Sequence, residues 1–190
     1  MNHLAGISES EIDRLRELAH IGASWAANSL ARLTECTILT RVPMVSGPER
    51  FRRRSEWDTG VFCSIEGDLN ATVGIFVSAA SRNALVELLC GDPDPPREVR
   101  ASAISEFGNI LVSQTASAIA DTLEGRIMPS IPELVLEGAE TAFQTRLAPR
   151  HRPPPPLYIE SELFDRQGRY RALHVVVPEI DKLEIAHSAD

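Results

Sequence analysis

Glu106 and Asn109 stand three residues apart in a segment that reads as helix, with Ser102 four residues before the glutamate. Side chains spaced by three and four share one face of a helix, so the three form a single polar ridge. The carboxylate supplies charge and acceptors, and the amide supplies a donor and an acceptor without charge. Ile104, Phe107, Ile110 and Leu111 take the opposite side. Asparagine is a poor residue for the middle of a helix, which makes its presence there a question. Taken alone, a Glu-x-x-Asn pair is ordinary solvated helix surface, because both residues are usually exposed.

A second stretch carries the same pattern. Asp13, Glu17 and His20 repeat the spacing of Ser102, Glu106 and Asn109, and Glu106 lies 89 positions after Glu17. At that offset Ile21 maps to Ile110, Ser24 to Ser113, Ala27 to Ala116 and Pro43 to Pro132, while Leu30 maps to Ile119 and Val45 to Leu134. One ungapped offset over about thirty residues indicates an internal duplication. Two copies are too few for a solenoid, so a pseudo-twofold single domain over 1–190 is expected, with repeats at about 8–91 and 97–178.

The elements that must carry these ridges follow from periodicity. Ser8 and Glu11 form a capping box that starts the first long helix, and Ile12, Leu15, Leu18, Ala19, Ala26, Leu30 and Leu33 recur at helical spacing. Cys36–Val45 reads as a strand with Pro43 at an edge or bulge. Trp57–Ile65 and Leu69–Ser78 read as a hairpin around Glu66-Gly67-Asp68, and Ala80–Cys90 as a short helix stopped at Gly91. Asp92-Pro-Asp-Pro-Pro96 divides the halves.

Arg97–Glu124 reads as the second long helix, with Gly125 at its C′ position. Arg126–Glu137 is a strand interrupted by Pro129 and Pro132. The stretch Gly138–Pro156 includes Arg150-His-Arg-Pro-Pro-Pro-Pro156, whose prolines favour extended, poorly packed backbone. Leu157–Phe164 and Tyr170–Val177 form a second hairpin around Gln167-Gly168. The tail from Glu179 is a short helix or frayed. The expected architecture is α/β: one mainly antiparallel sheet of about six strands, with the two long motif-bearing helices packed on one face.

The bulk numbers fit this. The chain has 190 residues, 43% apolar and 24% charged, as in ordinary globular domains. A net charge of −8 argues against a nucleic-acid partner, and no apolar run is long enough to cross a bilayer. Arg50-Phe-Arg-Arg-Arg54 reads as a solvated basic loop. No signal peptide is evident. Cys36, Cys63 and Cys90 form no CxxC pair, and reduced thiols in a cytoplasmic protein are expected. No Cys or His lies at metal-ligand spacing to another, so no metal site of its own is expected. Gly-rich phosphate loops, nucleophile elbows and HExxH motifs are absent from the sequence, which leaves a generic enzyme with its own pocket poorly supported.

Ser102-xxx-Glu106-xx-Asn109-Ile110, followed by small residues and Pro129-Ser-Ile-Pro132, resembles the CheC/CheX/FliY family of chemotaxis phosphatases. Asp13-xxx-Glu17-xx-His20-Ile-Gly-Ala resembles the same motif. The resemblance runs from the first helix to the last hairpin and is nearest to CheC-like proteins. It implies hydrolysis of the aspartyl phosphate of a CheY-type response regulator. Glu106 would pair with a regulator lysine and Asn109 would orient the attacking water, with Ser102 in a supporting role. Mg²⁺ would sit on the partner regulator. In-line water and charge stabilisation are what phosphoryl transfer needs, and the asparagine amide adds no negative charge beside the phosphoryl group.

The first copy departs from the family pattern. His20 has a wider ring and a different reach, and if protonated adds positive charge beside a metal site. Asp13, Glu17 and His20 are therefore expected to form a degenerate first site, with His20 either a satisfied structural histidine, the favoured reading, or a functional variant with altered pH dependence. The alternative function is a non-catalytic adaptor that binds a response regulator or a CheD-like deamidase. An intact Glu106/Asn109 pair discriminates, since an adaptor does not require it.

Overall fold

The structure, a computed structural model, describes residues 7–47, 56–148 and 157–179. The first long helix, α1, spans Glu9–Thr34. Ser8 caps it in the expected box: its Oγ accepts from the Glu11 N–H at 3.2 Å, and its own N–H donates to Glu11 Oε2 at 2.8 Å. Then follow β1 (Ile38–Thr40), β2 (Met44–Ser46), β3 (Thr59–Gly67), β4 (Ala71–Val77) and α2 (Ala79–Cys90). The second half comprises α3 (Arg97–Leu123), β5 (Ile127–Pro129), β6 (Glu133–Val135), α4 (Ala139–Leu147), β7 (Tyr158–Asp165) and β8 (Arg171–Pro178). The basic stretch Arg50–Arg54, the proline run up to Pro156 and the tail from residue 180 lie outside the described residues.

Among the described residues, eight strands join one antiparallel sheet in the order β1-β7-β8-β4-β3-β5, with β2 also on β7 and β6 also on β3. Eight strands replace the expected six because each proline-bearing strand breaks in two. Pro43 falls between β1 and β2, and its counterpart Pro132 falls between β5 and β6. A proline has no N–H to give the ladder, so the edge strand opens there. The offset of 89 holds for structure as well as sequence: Ile38–Thr40 maps onto Ile127–Pro129, and Met44–Ser46 onto Glu133–Val135.

The halves are interleaved. β1 and β2 of the first half pair with β7 of the second, while β5 and β6 of the second pair with β3 of the first. Only β4 and β8, one from each half, meet in the middle. Each half thus completes the other's sheet edge.

Strand alternation sorts the core into two clusters. Val61, Cys63, Ile65, Val73, Ile75 and Ile159 face α1 and α3. Phe62, Phe76, Tyr158 and Val175 face the other side, where α4 lies with Ala139, Phe143 and Leu147 buried. This helix, within 138–156, is not among the elements expected from the sequence, and the prolines singled out there lie outside the described residues. Its apolar residues recur every four positions, a helical spacing, and Phe143 docks between Phe62 and Phe76 at ring distances of 5.0 and 5.2 Å. Cover on both faces explains why β4 is buried along its whole length and β3 over its first seven residues.

The helix ends also differ from expectation. The left-handed residue after α3 is Glu124 (φ 51°), and its counterpart after α1 is Glu35 (φ 53°). Gly125 is required for another reason: a Cβ there would lie 2.4 Å from Asp68 Oδ2, the atom that accepts from the Arg126 N–H.

A buried polar contact ties α3 to the sheet. Thr115 Oγ1 donates to the Leu111 carbonyl at 2.9 Å and lies 3.1 Å from His174 Nε2 on β8. With the hydroxyl proton committed, the assigned tautomer carries its proton on Nε2, leaving Nδ1 a buried acceptor without a hydrogen bond. Burial pushes the imidazole pKa down to about 4. The unfolded chain takes up that proton near pH 6.5 and the folded chain does not. Stability is therefore whole at pH 7 and falls between about 6.5 and 4, by roughly 3 kcal/mol. Urea unfolding at pH 7 and pH 4.5 should show His174→Gln losing less stability on acidification than the wild type; an identical loss would contradict this account.

Candidate functional site

Both ridges lie on the surface of the paired long helices. On α3, Ile104, Phe107 and Leu111 point into the core, which turns Ser102, Glu106 and Asn109 outward to solvent. Among the described residues the Glu106 carboxylate and the Asn109 amide have no intramolecular hydrogen-bond or ion-pair partner. Their polar atoms are open to a second molecule. The rotation of the helix is fixed by its core face, and its axial position by its packing with α1 and β3.

That packing is closest between the two motif residues. Gly108 is buried, and a Cβ added to it would lie 2.3, 2.4 and 2.7 Å from Cγ2, Cβ and Cγ1 of Val61 on β3. Gly22 plays a like part between the helices, where a Cβ would meet Thr115 Cγ2 at 2.9 Å. The sequence reading passed over Gly108 although it sits inside the quoted motif. The signal was there: a glycine inside a helix costs about 1 kcal/mol relative to alanine, which a close contact can offset.

On α1, Asp13, Glu17 and His20 are likewise exposed. Asp13 is not free. Arg16 Nη1 donates to its Oδ1 at 2.8 Å, a pair with no equivalent at Ser102 and Ser105. Ser24 donates to the His20 carbonyl at 2.8 Å, and the His20 ring has no intramolecular partner among the described residues. An exposed ring without such a partner is not the satisfied structural histidine expected of His20, and the copies differ on the surface: an amide with a neutral serine on α3, an imidazole with an arginine-bound aspartate on α1.

The chemistry available is that of an open face. Burial pushes the Cys63 thiol up to about 12, so it holds no thiolate at neutral pH. Among the described residues no group of three His, Cys, Asp or Glu could hold a metal. A cleft of about 340 Å³ beside the start of α3 is lined by Arg82, Arg97 and Arg100 with Leu136 and Glu137. Two of those arginines already serve the protein. Arg82 donates to Thr59 Oγ1 and the Leu136 carbonyl, and Arg100 pairs with Asp94 at 2.6 Å.

Comparison with known proteins follows the same residues. The model of the CheC-like family matches residues 99–136, the segment that holds Ser102, Glu106 and Asn109. The chain is 28% identical over 203 residues to the CheY-P phosphatase CheC of Bacillus subtilis (strain 168), covering 97% of this chain and 95% of that one. The fold is similar to that of Thermotoga maritima FliY, with a TM-score of 0.64 at 16% identity over 92% of each chain. It is also similar to CheX in the CheX–CheY–BeF3–Mg complex of Borrelia burgdorferi, with a TM-score of 0.57 at 13% identity over 80% of this chain and 92% of that one. The chain is thus similar to CheC-like proteins in the segment 99–136 and along nearly its whole length, and its fold is that of CheX and FliY.

Proposed function

We propose that this protein accelerates hydrolysis of the aspartyl phosphate on a CheY-type response regulator, and that the α3 ridge does the work. The carrying observation is the exposed Glu106/Asn109 pair, without intramolecular partners among the described residues, on a helix seated firmly against the sheet. A site that must enter another protein's active centre needs polar atoms that are rigidly placed yet unspent. The name of the B. subtilis relative, and the CheY bound to the B. burgdorferi CheX, support the choice of partner.

In this mechanism Glu106 holds a cationic side chain of the regulator and so fixes the docked pose. Asn109 accepts from, or donates to, a water and holds it in line with the phosphorus. The water oxygen bonds to phosphorus, the bond to the aspartyl oxygen breaks, and the water's proton leaves with inorganic phosphate. Little covalent help is needed from the enzyme, since such transfers depend on positioning and charge stabilisation. Mg²⁺ bound in the regulator's acidic pocket would neutralise phosphoryl charge there. The α1 ridge is a docking face without the water-positioning amide.

The test is loss of radiolabelled phosphate from a phosphorylated CheY-type regulator with and without this protein. Faster loss is expected. No acceleration with any cognate regulator would sink the catalytic reading and leave an adaptor for a regulator or a CheD-like protein.

A further inference from the structure

The two copies differ beneath the ridge as well as on it. Gly108 stands over Val61, and its counterpart 89 positions earlier is the buried Ala19. The strand beneath has a counterpart too. Phe62 pairs with Glu133 and Glu160 with Met44, two partners that are themselves 89 positions apart, so Val61 and Ile159 occupy equivalent places. The second copy thus combines glycine with valine where the first combines alanine with isoleucine. Both differences add carbon atoms at the same helix–sheet contact in the first copy.

We propose that Gly108 is a positioning residue: it lets α3 down onto Val61 and so sets how far Asn109 and Glu106 project, and the first copy lacks this seat as well as the asparagine. The inference rests on the phosphatase reading and deepens it. Val61 is β-branched and buried between strands, so it cannot turn aside from an added Cβ. Ordinary carbon contacts lie at about 3.5–4 Å, so relief requires α3 to shift by on the order of 1 Å.

Such a shift matters because three ridge side chains cannot furnish a protein interface of about 800 Å² per partner. A docked regulator must also rest on what flanks α3, namely α1 and the β5–β6 edge, where Ile131 is 92% exposed. The height of α3 above those neighbours then fixes the reach of Asn109. Misplacement of a positioning group by 1 Å can cost on the order of a hundredfold in rate.

The experiment measures phospho-regulator decay against concentration of the protein, with thermal unfolding alongside. Gly108→Ala should lower kcat at least tenfold, more than it raises KM, while the protein stays folded at the assay temperature. Adding Val61→Gly, which removes all three contacting atoms, should restore most of that loss; Val61→Ala leaves one of them and should restore less. Unchanged kcat in Gly108→Ala, or no rescue by Val61→Gly, overturns the proposal.

The first copy gives an arm that adds no bulk and so does not depend on Gly108→Ala folding. In an Asn109→Ala background, Ala19→Gly with His20→Asn should recover more activity than His20→Asn alone. Equal recovery overturns the seat. If the wild type does not accelerate decay, the phosphatase reading fails by itself, and the seat is read instead in the affinity for beryllofluoride-loaded regulator. An unchanged Kd in Gly108→Ala then overturns it.

Discussion

Replacing Asn109 with alanine should remove the acceleration of regulator dephosphorylation, a fall on the order of a hundredfold, while leaving the protein as stable as before. The two halves of that expectation come from one observation. Asn109 is exposed and has no intramolecular partner among the described residues, so folding loses nothing when it goes. Alanine is also the better helix former, by up to about 0.7 kcal/mol, so the melting temperature should hold or rise slightly. A residue that costs stability where it stands and gains nothing from its own chain is explained by what it does for another molecule. Thermal unfolding and phosphate release on the same preparation check both halves together.

Phe143→Ala should have the largest effect on stability, about 3–5 kcal/mol in urea unfolding. Phe143 is fully buried and its ring stands 5.0 Å from Phe62 and 5.2 Å from Phe76. Those rings belong to β3 and β4, the strands whose opposite side chains meet the long helices. Truncation removes the centre of the second core cluster and leaves α4 with Ala139 and Leu147 to hold it. A loss below about 1 kcal/mol would mean that α4 does not cover this face. The ridge lies across the sheet from α4, so the folded fraction of this variant should still act on a regulator.

The contrast between these two residues shows what could be read in the sequence. Helix α1 was legible to its first residue, because Ser8 and Glu11 cap it by local chemistry. The duplication was legible because one offset runs without gaps, and the same offset relates the bounds of β1 to those of β5 and of β2 to those of β6. The outward turn of Glu106 and Asn109 followed from the apolar spacing of Ile104, Phe107 and Leu111.

What stayed hidden depends on contacts distant in sequence. The prolines at 43 and 132 signalled an edge or an interruption, but whether the ladder closes on both sides of them depends on β7 and β3. Helix α4 was missed because a short helix holds only by its seat on Phe62 and Phe76. The left-handed turn after α3 falls on Glu124 rather than Gly125, as its counterpart after α1 falls on Glu35, while Gly125 makes room for Asp68. The need for glycine at 108 comes from Val61, which lies beneath it on β3 and far from it in sequence.

The central claim is that the two ridges are unequal and that the second carries the activity. The most direct measurement is the decay rate of one phosphorylated regulator with equal amounts of wild type, His20→Ala and Asn109→Ala. The expected result is that His20→Ala keeps nearly the wild-type acceleration while Asn109→Ala leaves the regulator at its own unassisted rate. Acceleration that survives Asn109→Ala, or is lost to the same degree in His20→Ala, would contradict it.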